Sequence, residues 1–256
     1  MENNNDILKN TNNNYVVEIE HLQKSFDGRM ILKDINLKVK KSENVVILGK
    51  SGIGKSVLIK CIVGLIYPDK GSVKVFGKEV TQMNHNELDE MRTRVGFIFQ
   101  SNALYDSMTV RENLEFPLRR NKIITDKKEI DNLVYEALNN VGLTDAIDKM
   151  PAELSGGMRK RIGLARTLIL KPEIILYDEP TTGLDPLTSR EISKLINTIQ
   201  NKFNASSIII THDLECAKRT SNRILILQDG VFYAEGSFEE LKTNQDPFVK
   251  SFFVTV

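Results

Sequence analysis

The chain has little of what marks several protein classes. Only two of its 256 residues are cysteine, Cys61 and Cys216. They form no spaced motif for a metal or a disulfide framework, which suits a reducing compartment, and Cys61 reads as a small buried residue. Charge of either sign is not in excess, with 35 Lys+Arg against 34 Asp+Glu, so electrostatics give no case for a nucleic-acid partner. No secretory pattern is visible. Apolar runs such as Ile174-Ile175-Leu176 and Ile208-Ile209-Ile210 fall far below the ~20 residues that span a bilayer. A role at a membrane would therefore need a partner. No internal repeat is visible. The length suits one large α/β domain with a substantial core.

The first positive signal is Gly49-Lys50-Ser51-Gly52-Ile53-Gly54-Lys55-Ser56. The apolar run Val45–Leu48 precedes it, and Val57-Leu58-Ile59-Lys60-Cys61-Ile62-Val63 follows. This is strand, glycine loop and helix, with G-x-x-x-x-G-K-[ST] across the junction. Gly52 and Gly54 let backbone N–H groups turn inward, and the helix beginning near Lys55 aims its positive end at the same point. Lys55 can reach β- and γ-phosphates, and the Ser56 hydroxyl can ligate Mg²⁺. The pattern predicts nucleoside triphosphate binding.

Residues 1–14 are dominated by Asn and read as a disordered tail. Residues 15–245 read as a single domain, with a helical insertion at about 101–165, and 246–256 as a C-terminal tail. Ile35, Leu37 and Val39 alternate with polar residues as a half-exposed strand. Val73–Phe76 between Gly71 and Gly77 predicts another strand, and these could form a small antiparallel sheet. Asp126 and Glu129 resemble a capping box before Ile130, Leu133, Val134, Ala137, Leu138 and Val141, a helix stopped by Gly142. Buried-type strands are predicted over 173–177 and 207–210. Asp229-Gly230 predicts a hairpin between 224–227 and 231–235.

Two further motifs carry chemistry. The strand Ile174-Ile175-Leu176-Tyr177 ends in Asp178-Glu179. Asp178 can hold Mg²⁺ through water, and Glu179 can point toward an attacking water. Leu154-Ser155-Gly156-Gly157-Met158 places a capping serine and two glycines at the start of a helix with Ile162, Ala165 and Ile169 on one face. That is a second anion-binding helix terminus, built without a lysine. In a nucleotide domain already complete, it makes sense if it serves another subunit's nucleotide. Arg159-Lys160-Arg161, just beyond, reads as a solvated helix face.

With these motifs in place, residues 16–240 resemble the ATPase subunits of ATP-binding cassette transporters. The parts stand in the family's order: phosphate loop, Gln100, Leu154–Met158, Asp178-Glu179, Gly183-Leu184-Asp185 and His212. The resemblance implies an α/β fold with a phosphate-loop, RecA-like core, an antiparallel β subdomain and an inserted helical subdomain. It implies a head-to-tail homodimer with two ATP molecules and Mg²⁺ at the interface. Each ATP would lie between one subunit's phosphate loop, Gly49 to Val57, and the other's Ser155, Gly156, Gly157 and Met158. Gln100 would approach Mg²⁺ and the attacking water, Glu179 would be the general base, and His212 would contact the γ-phosphate. Asp185 would link the two sites. Phe26 falls where the family stacks an aromatic on adenine, although core packing reads as nearly as good. Met158 stands in place of the family's usual Gln, and Phe26 in place of its commoner Tyr.

Finer features resemble the lipid-trafficking (Mla/Mce-type) members: Ile53, Ser56-Val57-Leu58, Ala103–Val110, Phe116-Pro117-Leu118-Arg119, Met158–Arg161 and Asp246–Val249. They imply a phospholipid or lipid transporter, with an integral-membrane permease and a periplasmic or membrane lipid-binding subunit as partners. The chain would then sit at the cytoplasmic face of the inner membrane, peripheral through the permease. Alternatives are an ATPase of another importer or exporter, for instance of amino acids, or a soluble non-transport cassette protein. The last usually carries two cassettes, a coiled-coil insertion or a basic extension, and none is visible here. The family seats a permease helix near Gln100 to Leu118, where Tyr105, Met108 and Phe116 offer apolar anchors.

Overall fold

The computed structural model describes residues 14–100, 104–120 and 126–253. The predicted disordered tail, up to residue 13, and Ala103 of the lipid-type pattern lie outside the described residues.

The chain opens with β1 (Tyr15–Phe26) and β2 (Arg29–Lys40), antiparallel partners joined at Asp27-Gly28, both with positive φ. Along β2, Leu32, Ile35, Leu37 and Val39 are buried, while Asn36, Lys38 and Lys40 are exposed. That is the period-two pattern of a sheet packed on one face. β3 (Asn44–Leu48) is buried throughout and leads through the glycine loop into α1 (Lys55–Ile62). β4 (Lys70–Val75) and β5 (Lys78–Glu79) complete the antiparallel set. Phe76, expected in the strand, instead turns the chain with φ 51°.

α2 (His85–Arg94) and β6 (Val95–Ile98) precede the helical segment of α3 (Val110–Arg120), α4 (Lys127–Asn140) and α5 (Gly156–Leu168). Asp126 caps α4 by accepting from the Glu129 N–H at 2.8 Å, without the reciprocal half of a capping box. The chain then alternates through β7 (Ile174–Asp178), α6 (Pro186–Phe203), β8 (Ser206–Thr211) and α7 (Leu214–Thr220). The hairpin β9 (Arg223–Gln228) and β10 (Val231–Gly236) follows, turning at Asp229 and Gly230 with φ 48° and 81°. Two left-handed residues in a two-residue loop match the twist of the flanking strands.

The strands form one ten-stranded sheet in the order β5-β4-β1-β2-β10-β9-β3-β8-β7-β6. From β9 to β6 the neighbours are parallel. β10 joins the antiparallel lobe through Val231 opposite Asp34. Buried side chains fall into two clusters, and consecutive residues of β3 alternate between them: Val46 and Leu48 in one, Val45 and Ile47 in the other. Cover on both faces explains why β3, β7 and β8 read as unbroken apolar runs.

α8 (Phe238–Thr243) and α9 (Pro247–Phe253) close the described chain. Residues 247–253 fall within the segment read as a tail, yet they form a helix that buries Val249 and Phe253. The Phe253 ring meets that of Phe238 edge-on at 5.4 Å. Seven helical residues are too few for a periodic signal. Cys61 is buried as expected, and burial raises its thiol pKa to about 11.

The neighbours β3, β8 and β7 run parallel, so their carboxyl ends share one edge. The phosphate loop, Thr211-His212 and Asp178-Glu179 leave from that edge. Open parallel sheets bind ligands in such a crevice.

Candidate nucleotide site

The phosphate loop is shaped by its glycines. Gly54 holds φ 110°, and a Cβ there would stand 2.7 Å from Ile31 Cγ2, so a side chain would face both backbone strain and a collision. α1 begins directly after it with neither a side-chain cap nor an acidic residue in its first turn. The positive end of the helix dipole and its unsatisfied N–H groups are thus left facing the crevice. Ile53 and Val57 pack on the adjoining core, which anchors the loop from behind.

Lys55 is buried at 5% exposure and lies under this loop. Its Nζ donates to the carbonyls of Gly49 at 2.7 Å and Lys50 at 3.0 Å, and sits 3.3 Å from Glu179 Oε1. The other Glu179 oxygen, Oε2, lies 2.8 Å from His212 Nδ1 and accepts from the His212 N–H and the Thr182 hydroxyl. Lys55, Glu179 and His212 therefore form one continuous polar chain. Glu179 has φ 52°, left-handed for a residue with a side chain. Such strain persists only where surrounding structure fixes it.

Ser56 Oγ donates to Asp178 Oδ1 at 3.0 Å. Burial raises the Asp178 carboxyl above its usual range, the Ser56 hydrogen bond pulling it back and Glu179 pushing the same way as burial. A hydroxyl beside a carboxylate is an oxygen donor set of the kind Mg²⁺ takes. Among the described residues no group of three His, Cys, Asp or Glu could hold a metal. An ion at Ser56 and Asp178 would therefore depend on phosphate oxygens for much of its shell, as Mg²⁺ commonly does.

A cavity of about 510 Å³ opens over these groups, lined by Phe26, Ile31, Ser51, Gly52, Gly54, Lys55, Ser56, Val57, Gln100, Glu179, Thr182 and His212. Its volume is in the range of small-molecule sites. Phe26 is 42% exposed at its rim. The alternative of core packing for Phe26 is thereby overturned: β1 ends at the cavity, where the side chain leaves the sheet. Asp69 accepts from Lys24 Nζ and from the Ser25 N–H and hydroxyl, each at 2.6 Å, fixing the strand just before Phe26. These bonds hold the Asp69 carboxyl down at about 2.

The second glycine motif lies apart from this cavity. Ser155 caps α5, its Oγ accepting from the Met158 N–H at 3.2 Å. Ser155 and Gly156 are exposed, and Met158 packs partly on the core. A Cβ on Gly157 would stand 2.6 Å from Thr188 Cγ2, so only glycine fits beside α6. Asp185 is exposed and caps α6, accepting from the Leu187 and Thr188 N–H groups at 3.0 Å. One chain thus gathers Phe26, the phosphate loop, Gln100, Asp178, Glu179 and His212, and leaves Ser155–Met158 and Asp185 outside.

Sequence reasoning missed three residues. Ile31 and Thr182 line the cavity, and neither carries a motif signal. Lys160, read as part of a solvated face, is buried at 8% exposure. Its Nζ donates to the carbonyls of Glu179 at 3.3 Å and Gln100 at 3.5 Å. The turn of α5 that carries it faces the chain just beyond β7, whereas Arg161 pairs outward with Glu191.

A separate cavity of about 320 Å³ is lined by Asp89, Arg92, Thr93, Tyr105, Phe116, Pro117, Arg120 and Arg166. The Tyr105 and Phe116 rings pack 4.8 Å apart. Met108 is half-buried and does not line it. Among the described residues no helix is long and apolar enough to cross a membrane.

The sequence profile of a family described as ABC transporter matches residues 32–182. The chain is 41% identical to the "probable ribonucleotide transport ATP-binding protein mkl" of Mycobacterium leprae, over 92% of this chain and 68% of that protein. It is 40% identical to a "methionine import ATP-binding protein MetN" of Clostridium acetobutylicum, covering 92% and 73%. It is 37% identical to the "intermembrane phospholipid transport system ATP-binding protein MlaF" of Haemophilus influenzae, covering 94% and 90%. Among solved structures, the ATP-binding cassette MJ0796, a dimer in a post-hydrolysis state with ADP and Pi, superposes with a TM-score of 0.79. It shares 30% identity and covers 87% of this chain and 98% of its own.

Proposed function

This chain belongs to the ATP-binding cassette transporter family and is one of its ATPases, and from that premise we propose that it energises a phospholipid transporter through a homodimer closed by ATP. The observation that carries the catalytic reading is the Lys55–Glu179–His212 chain beneath an uncapped helix end. Phe26 stacks on adenine, and the phosphates lie over residues 52–56. Lys55 exchanges the Gly49 and Lys50 carbonyls and Glu179 for the β- and γ-phosphates. Glu179 Oε1, once released, takes a proton from a water held beside Gln100, and the water oxygen attacks the γ-phosphorus as ADP departs. His212 contacts the γ-phosphate. Ser56, Asp178 and Gln100 would hold Mg²⁺, which supplies electrostatic stabilisation of phosphate charge.

The second copy completes the site. Ser155, Gly156, Gly157 and Met158 lie outside their own chain's cavity, at a helix N-terminus suited to an anion. A head-to-tail dimer, supported by the dimeric MJ0796 cassette, sets them against the partner's γ-phosphate, and Asp185 links the two sites. An integral-membrane permease seats a helix in the cavity at Tyr105 and Phe116. The chain is then peripheral at the cytoplasmic face of the inner membrane, and a periplasmic or membrane lipid-binding subunit is a further partner.

The lipid reading is supported by the likeness to MlaF over nine-tenths of that protein's length. The likeness to MetN favours a second reading, an amino-acid importer. The test is reconstitution with the permease that co-purifies from detergent extracts. ATP-dependent phospholipid transfer between vesicles is the expected result. Stimulation of hydrolysis by an amino acid or a nucleotide, with no lipid transfer, would overturn it.

A further inference from the structure

Lys160 has no place in the reaction described above, yet it is built into the site. A lysine at 8% exposure is unusual, because an ammonium is rarely buried without partners. Among the described residues it makes no ion pair; its two partners are the main-chain carbonyls of Glu179 and Gln100. Burial lowers its pKa, while Glu179 and Asp178 favour the charged form. A neutral methylene chain of similar length would fill the space but leave both carbonyls without this donor.

The location connects two sites. Lys160 lies on α5, which Ser155 caps and Gly156-Gly157 begin. The Glu179 main chain is left-handed, with its N–H donating to the Ile210 carbonyl of β8 at 2.9 Å. β8 thus holds the N–H of this strained residue and Lys160 its carbonyl. We infer that Lys160 is a positioning residue, pinning the main chain of Glu179 and of Gln100 to the helix whose N-terminus meets the partner's nucleotide. Movement of α5 when the partner's phosphate seats at Ser155 is then passed to the carboxylate over the chain's own nucleotide. This inference rests on the reading of Glu179 as base and Ser155 as a trans contact.

The test uses the full chain and three variants, Lys160→Met, Lys160→Arg and Glu179→Gln, each followed by melting temperature, KM for ATP and kcat. Loss of an outer-shell partner that orients a metal ligand, the role read here for Gln100, commonly costs about 10- to 100-fold in affinity or activity. For Lys160→Met we expect a fall of that size in kcat with KM little changed, and for Lys160→Arg a return of most of the rate. Should Lys160→Met melt below the assay temperature, Lys160→Gln takes its place, with kcat expected in the order Lys, Arg, Gln at constant KM. A folded Lys160→Met or Lys160→Gln protein with wild-type kcat, beside an inactive Glu179→Gln, overturns the inference alone. So does a loss of kcat and KM together that follows the melting temperature and is not relieved by Arg. Wild-type turnover by Glu179→Gln would remove the base assignment, and this inference with it.

Discussion

Replacing Glu179 by Gln should slow hydrolysis and tighten ATP binding at once. Lys55 Nζ is 3.3 Å from Glu179 Oε1. At an effective dielectric constant of ~20, that separation corresponds to about 5 kcal/mol of gross attraction, most of it offset by the desolvation of two buried groups. Binding ATP must draw Lys55 away from this partner. A hydrogen bond to a charged group is worth about 1.5–3 kcal/mol net and a neutral one about 1. The amide variant should therefore hold Lys55 less firmly by roughly 0.5–2 kcal/mol, which converts to ATP binding about 2- to 30-fold tighter. Turnover should fall by about 10²–10⁴, the usual contribution of a positioned base. Equilibrium dialysis with labelled ATP and single-turnover hydrolysis measure the two quantities. Weaker binding would refute the competition for Lys55, and wild-type turnover would refute the role of the carboxylate.

Phe26→Ala should leave the melting temperature nearly unchanged, because the ring is exposed. It should weaken ATP by on the order of 1–3 kcal/mol through lost stacking, while inorganic triphosphate binds as before; equal weakening of both would place the ring elsewhere. Asp178→Asn should abolish hydrolysis yet raise the melting temperature of the nucleotide-free protein at neutral pH. Burial raises the folded pKa of Asp178, so its contribution to stability is present below the unfolded value and lost as pH rises through the folded one. The gain should accordingly vanish at about pH 3, below the ordinary aspartate value, and calorimetry at both pH values checks it. In mixed dimers, Ser155→Arg in one chain and Lys55→Ala in the other should leave one composite site working. Both changes in one chain beside a wild-type partner should leave none, and equal activity of the two arrangements would exclude shared sites.

The motifs were legible because phosphate chemistry imposes residue types at fixed spacings. Gly54, Lys55, Ser56, Asp178 and Glu179 could be named before any geometry, and the structure brings them to one crevice. What escaped was tertiary. Lys160 sits in a basic run, and charge alone assigns such a run to solvent; only the packing of α5 beside β6 turns it inward. Ile31 enters the cavity through the register of β2, which no local pattern encodes. The groove at Tyr105 and Phe116 was read by its apolar residues, but Arg92, Arg120 and Arg166 line it as well. Those arginines come from three separate segments, so their convergence has no signature in sequence. α9 lacked length for a period, and its aromatic residues became informative only once α8 lay beside it.

Consider how the helices begin. Asn84, Thr109, Asp126, Ser155, Asp185, Asp213, Ser237 and Asp246 each give a side-chain oxygen to the first turn of the α-helix that follows. Among the described α-helices only α1 starts with no such oxygen. A phosphate over Gly52–Ser56 would serve as the cap the chain itself omits, so nucleotide binding and the completion of this helix are one thermodynamic event. Ligand at 100 times its Kd would then stabilise the fold by about 2.7 kcal/mol. Hydrogen exchange at the amides of Lys55 and Ser56 should slow more on ATP addition than exchange at the start of any other helix.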